Sequence, residues 1–440
     1  MINLNLSFQQ LLTFRLQIHA SFTFRADALF ELIEAILLSP VRSAVEASLS
    51  PAFRRRFASV YDALRQGRID RAELRKALAT AEPEEAITVG GYAIYAIDTT
   101  IQPHPEAETL PDRSPVYSAE RGKAVAGHQF SWLGRVIAFG QSWFAPREVD
   151  RVPTDRTSTE VGAEQVQALA QQDPAVSKVM VGDSHYARRT FLQVFLGLSQ
   201  VYALVRLACN RVLYGPPSPK SGQRGRPKVH GAKFRLKAPG PPERHCEVKL
   251  FGHTVRLSAW PNLHFKDLPQ LVGLVLRVEF LKADGTPRYK RPLWLFWSGP
   301  QDIALTDLAL MYLLRFGIEH FFRFLKQRLG LLAAHVGDLL AVENWVWVVA
   351  LAYWQLLLAR DLVLPQYRPW DPAARRDPTR TLTPGQVRQA WGVFSRGLGT
   401  PAAAPRSGGK DPGRAVGFHP RPRQRHPVVK KGQSAAVATV

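Results

Sequence analysis

The sequence predicts an α/β fold: a mixed sheet flanked by helices, with a β-rich insertion and an N-terminal all-helical domain. Three observations carry this expectation. Between residues 86 and 209, short apolar β-rich runs alternate with segments of helical periodicity. A second series of strand-like runs follows a Pro/Gly/basic loop, and the first 85 residues carry helix-start signals without strand alternation. With 440 residues, of which 46% are hydrophobic, the chain can bury the cores of two or three domains.

Residues 1–85 read as helices studded with Arg54, Arg55, Arg56, Arg65, Arg68, Arg71 and Arg75. Ser39-Pro40 and Ser50-Pro51 each offer an N-cap followed by proline, and Asp70 with Glu73 has capping-box spacing before LRKALA. Such a unit is either a DNA-contacting module or a packing domain with a solvated basic face. Residues 86–209 form the first part of an α/β core. YAIYAID rises to Asp98, GHQFSWLGRVIAFGQSW has the look of paired strands, and TEVGAEQVQALAQQ is helical. SKVMVGD is a short strand closing on Asp183, followed by a helical run near YARRTFLQVFLGL and the strand VYALVRLA. Each of the two aspartates is expected at a strand end. A lone aspartate there most often caps the following turn.

Residues 210–300 open with PPSPKSGQRGRPKVHG, whose GRPK at 225–228 resembles a minor-groove hook, and continue with the strands of a β-rich insertion. Asp284-Gly285 marks a hairpin there. Residues 301–365 return to the core with a helix through Glu319 and an apolar packing helix. Residues 366–440, rich in Pro, Gly, Ala and Arg, read as a basic flexible tail.

Lys and Arg total 58 against 36 Asp and Glu, a net charge of +22, which suits a polyanionic partner better than a small metabolite. Two cysteines, Cys209 and Cys246, without metal-ligand spacing argue against zinc and against a disulfide framework, and so for a reducing cytosol. No secretory signal is evident at the start. The apolar run Val346 to Ala359 contains Gln355 and falls short of the ~18 to 20 residues that span a bilayer, so a buried helix is expected and no membrane partner.

The most informative stretch is MYLLRFGIEHFFRFLKQRLG. Arg315, Glu319 and Lys326 follow Tyr312 at offsets that, at about 100° per residue, fall near 300°, 340° and 320° of a helical wheel. One helix would gather all four on a narrow face. An acid fixed among cations and a phenol suits a surface that meets both phosphate and metal. The spacing Y-x2-R-x3-E-x6-K resembles the signature around the catalytic glutamate of a large branch of bacterial insertion-sequence transposases, the DDE enzymes.

That resemblance implies an RNase H-like catalytic core over roughly residues 87–335. Asp98, Asp183 and Glu319 would be the catalytic acids and the ligands of two Mg2+ ions, with Mn2+ as a substitute. Tyr312, Arg315 and Lys326 would contact phosphates at the element's ends. An aromatic of the insertion, Trp297 or Trp294, would stack on a flipped base, and Arg188 beside Arg189 would face phosphate. The implied partners are double-stranded DNA, as terminal inverted repeats and as target, and a second copy of the chain in a homodimer on DNA. The implied location is cytoplasmic, with the nucleoid. Two other readings share these residues: an RNase H-like metal-dependent nuclease outside transposition, and a transposase-derived DNA-binding protein that is catalytically silent.

Overall fold

Alternation builds the centre of the molecule. In the strand Tyr92–Pro103, Ala93, Tyr95 and Ile97 enter one apolar cluster while Ile94 and Ala96 enter another, so both faces are covered. The computed structural model describes residues 4–430, apart from 41–42, 119–120, 139–141, 173, 218–227, 368, 371, 373–380, 407–412, 414 and 420–421.

Among the described residues the central strand belongs to a mixed sheet of 13 strands. Tyr92–Pro103 runs parallel to Lys178–Gly182, which runs parallel to Val201–Arg206. All other pairings are antiparallel. On one side Lys123–Val136 joins Tyr92–Pro103 and is itself paired by Ser114–Ser118 and Phe144–Val152. On the other side Leu293–Trp297 joins Val201–Arg206 and leads into the long hairpin of Leu268–Phe280 and His253–Phe265. The insertion's long strands therefore extend the core sheet by continuous hydrogen bonding. Asp284-Gly285 lies in a tight turn, with Gly285 at φ 77° and its N–H donating to Lys282 O at 3.1 Å.

Ser158–Gln172 packs through Val166 and Leu169 on one face of the sheet. The opposite face receives the helix Phe316–Arg328 and the 21-residue helix Leu339–Ala359. The latter is long and apolar enough to cross a membrane, yet most of it is buried inside the protein, as expected for a packing helix. Two buried amides on it face the N-terminal helices, though the Gln355 amide nitrogen has no hydrogen-bond partner among the described residues. Asn344 Nδ2 donates to Leu64 O at 2.8 Å and Gly67 O at 3.1 Å, and Gln355 accepts from Arg15.

The first 80 residues are mostly helical, in Leu4–Ala20, Ala26–Leu38, Ala44–Ala47, Ala58–Gln66 and Arg71–Thr80. A two-stranded ribbon, Phe22–Phe24 with Arg68–Ile69, was not foreseen. Asp70 does cap its helix, accepting from the N–H groups of Ala72 and Glu73 at 2.9 and 3.1 Å. The two Ser-Pro pairs do not start helices. Ser39 ends Ala26–Leu38, and Ser50-Pro51 lies in turns.

The flexible-tail expectation fails for part of its length. Pro384–Phe394 is a helix with a complete capping box between Thr383 and Gln386, and it buries Val387 and Trp391. Of the GRPK motif, residues 225–227 lie outside the described residues.

Candidate active site

Strand register brings the two aspartates together. The parallel ladder pairs Ala96 with Val181, and two residues further along the same register lie Asp98 and Asp183. Adjacent strands are ~4.8 Å apart, so neighbouring positions present neighbouring side chains. Alternation places both on the same side: Ile94 and Ala96 before Asp98, and Val179 and Val181 before Asp183, all enter the cluster covered by the Glu319 helix. Asp183 follows its strand immediately, as expected. Asp98 does not end its strand, which continues to Pro103; what ends near it is the pairing with the parallel neighbour. The carboxyl edge of parallel strands is where α/β sheets place their sites.

The helix carrying Glu319 is not continuous with the one carrying Tyr312. Leu305–Leu314 stops at Arg315 and Phe316–Arg328 begins after it. At the break, Arg315 N donates to Tyr312 O at 3.1 Å and Ile318 N to Arg315 O at 3.0 Å, three-residue spans in place of the α-helical four. The four signature residues are thus divided between two helices, with Arg315 at the joint.

Arg315 ties the site together. Its Nη1 donates to Asp98 Oδ2 at 2.9 Å and its Nη2 to Glu319 Oε1 at 2.7 Å. One guanidinium therefore joins an acid of the sheet to an acid of the helix, 217 positions apart in sequence for Asp98 and Arg315. Asp98 also accepts from the Thr99 N–H at 2.7 Å, and Asp183 from the His185 N–H at 2.8 Å.

Burial pushes the Asp98 carboxyl above its ordinary range and the Asp183 charge adds to this, while Arg315 opposes it. Arg315 itself is held above its ordinary value: burial works against its charge, but Asp98, Tyr312, Glu319 and Asp183 outweigh it. All three acids thus act on the one cation. Among the described residues no three His, Cys, Asp or Glu side chains lie close enough together to hold a metal ion. What stands between Asp98 and Glu319 is Arg315, whose two nitrogens pair with one acid each.

The remaining expected site residues divide. Tyr312 is only 8% exposed, with its hydroxyl raised by burial and its ring 6.0 Å from the Arg315 guanidinium carbon. Lys326 lies in the last turn of the Glu319 helix, half-buried. Arg188 and Arg189 are exposed beyond Asp183. Tyr186, close behind Asp183, is buried against Phe191.

The base-stacking assignment is overturned. Trp297 is 0% exposed, packs edge-on to Tyr92, and donates its indole N–H to Pro300 O at 2.8 Å; Trp294 is 4% exposed. Helices cover the sheet there, so alternating aromatics on this strand fill cores on both sides.

One residue escaped the sequence reading. Gly182 pairs with Val205, so Arg206 follows beside Asp183 at the edge of the third parallel strand, and its charge bears on Tyr312. A basic residue closing a hydrophobic strand, VYALVR, was the available signal.

A family model described as DDE superfamily endonuclease matches residues 17–264, more than half of the chain, spanning Asp98 and Asp183 and ending before the Glu319 helix. No curated protein matches the chain.

Proposed function

Since the chain belongs to the DDE superfamily endonucleases, we propose that it is a DNA transposase of the insertion-sequence type, with Asp98, Asp183 and Glu319 as its acids. The observation that carries this is the Arg315 bridge between Asp98 and Glu319, at the sheet edge where Asp183 stands. It supports including Glu319, which lies beyond the matched region, in one site with the two strand acids.

The donor set suits Mg2+ or Mn2+ by its chemistry: three hard carboxylates, two of them paired with Arg315 and the third, Asp183, beside Asp98 in the strand register. Asp98, Asp183 and Glu319 would hold the ions, which when bound supply an activated oxygen nucleophile and a stabilised leaving oxygen. The chain's own groups do the rest. The sheet register sets Asp98 and Asp183 on neighbouring strands, and Glu319 is tied to Asp98 through Arg315. Arg206, beside Asp183 in the strand register, would present a cation to a phosphate strand. The RNase H-like assignment rests on this order of two strand acids and a helical acid.

DNA would extend from this edge to the helical N-terminal region. There Arg25, Arg54, Arg55, Arg56 and Arg406 line an open cleft of about 750 Å³ together with Asp27, and Arg54 and Arg55 pair with Glu31 and Asp27. The inferred ligands are terminal inverted repeats and target DNA, handled by a homodimer at the nucleoid. A plasmid carrying the element's ends tests this reading. The protein with Mg2+ should cut at the ends and join them to target DNA, and Asp98→Asn, Asp183→Asn and Glu319→Gln should each abolish cleavage while DNA binding persists. Cleavage of branched DNA irrespective of end sequence would instead identify a structure-directed nuclease.

A further inference from the structure

Arg315 makes polar contacts with two carboxylates, at 2.9 and 2.7 Å. Its side chain is 14% exposed, that of Asp98 23% and that of Glu319 41%, so the bridge is shielded on the Asp98 side and open on the Glu319 side. A planar guanidinium with two parallel donors spans two acids in a way that the point charge of a lysine cannot. With Asp183 acting on both Asp98 and Arg315, the group stands where three negative charges need a cation.

From this geometry we propose that Arg315 is an internal counter-cation of the acid site, holding Asp98 and Glu319 while no metal is bound and giving way when a divalent ion enters. It acts as a positioning residue through the two carboxylates. The inference rests on the reading of these acids as metal ligands and adds to it. The Asp98 Oδ2 and Glu319 Oε1 atoms that the ion would need are the ones Arg315 occupies, so guanidinium and metal compete for them. Arg315 stays in the right-handed helical region where the two helices meet, so giving way needs only rotation of its own side chain. A swung-out guanidinium would meet solvent or a phosphate on the open Glu319 side.

The competition has a sign that a purely structural role lacks. Neutralising Arg315 removes a positive charge within a few ångströms of the incoming ion, so Mn2+ should bind more tightly by about tenfold or more. The metal-free protein should at the same time become less stable, since its buried acids lose their partner. Titration of the full-length protein with Mn2+ alone, by calorimetry and by electron paramagnetic resonance, tests this on wild type, Arg315→Gln, Arg315→Lys and Asp98→Asn. The expected order of Mn2+ affinity is Arg315→Gln above Arg315→Lys above wild type, with binding lost in Asp98→Asn. The melting temperature of metal-free Arg315→Gln should fall below wild type and recover with Mn2+. Equal or weaker Mn2+ binding by Arg315→Gln with a native circular dichroism spectrum, while Asp98→Asn still abolishes binding, overturns the inference alone. Absence of Mn2+ binding in both wild type and Arg315→Gln overturns the metal-site reading and the inference with it.

Discussion

Replacing Asn344 by leucine isolates how the helical N-terminal region is joined to the core. Asn344 is 3% exposed in an otherwise apolar helix, and its amide donates to Leu64 O and Gly67 O at 2.8 and 3.1 Å. Both carbonyls belong to the end of Ala58–Gln66 and its cap, where helix carbonyls lack intrahelical partners. Leucine keeps the branched outline but is bulkier, so Asn344→Ala, which removes the amide without adding bulk, is the companion variant. Two buried carbonyls then lose a partner at about 1 to 3 kcal/mol each, less about 1 to 2 kcal/mol for not burying the amide; mid-values give a net loss of about 2 to 3 kcal/mol. Urea unfolding measures the total, and hydrogen exchange of the 58–67 amides measures where it is felt. The expected result is a lower midpoint together with faster exchange in that helix. A change below about 0.5 kcal/mol with unaltered exchange would refute the view that this contact anchors the region.

Trp297→Ala should destabilise the protein by about 3 to 5 kcal/mol in urea unfolding, because the indole is wholly enclosed; at temperatures where the variant stays folded, its DNA affinity should match wild type. His104 and His128 are depressed to about 3 and about 4, chiefly by burial, against an unfolded value near 6.5. Their contribution is therefore fully present above about pH 6.5 and lost as pH falls from there towards 3, since the unfolded chain takes up protons first. His104→Phe should flatten the acid side of the stability profile in that window, as read by urea midpoints at successive pH values. Deleting the chain from Thr383 onward should lower the melting temperature, because Val387 and Trp391 are 0% and 1% exposed in the packed C-terminal helix.

Much of the architecture could be read from residues. Alternation in YAIYAID and the apolar SKVMVGD and VYALVR runs gave the three parallel strands, and Asp70 gave a true cap. What failed did so for physical reasons. Asp98 seemed to end its strand because the polar TTIQP follows, yet those residues pair with Lys123–Val136 and so remain extended. The Tyr312 to Lys326 wheel assumed one helix, whereas periodicity cannot register a break where the local hydrogen bonds shorten their span at Arg315. Trp297 looked available because a strand's alternation does not say whether its second face meets solvent or another layer. Composition hid the C-terminal helix, although Thr383, Pro384 and Gln386 with Val387, Ala390, Trp391 and Phe394 carried both a cap and an apolar stripe. Around Asp98 and Glu319, the Arg315 bridge could not be read from the sequence because it depends on two distant segments meeting.

Iron-directed backbone cleavage tests most directly whether these segments form one metal site. Fe2+ taking the place of Mg2+ should, with ascorbate and peroxide, generate radicals that cut only nearby chain. The predicted fragments arise from cuts around Asp98, Asp183 and Arg315 to Glu319, all three suppressed by excess Mg2+ and by Asp98→Asn. Cuts confined to one of these segments, or falling elsewhere in the chain, would contradict a shared site built from the three acids.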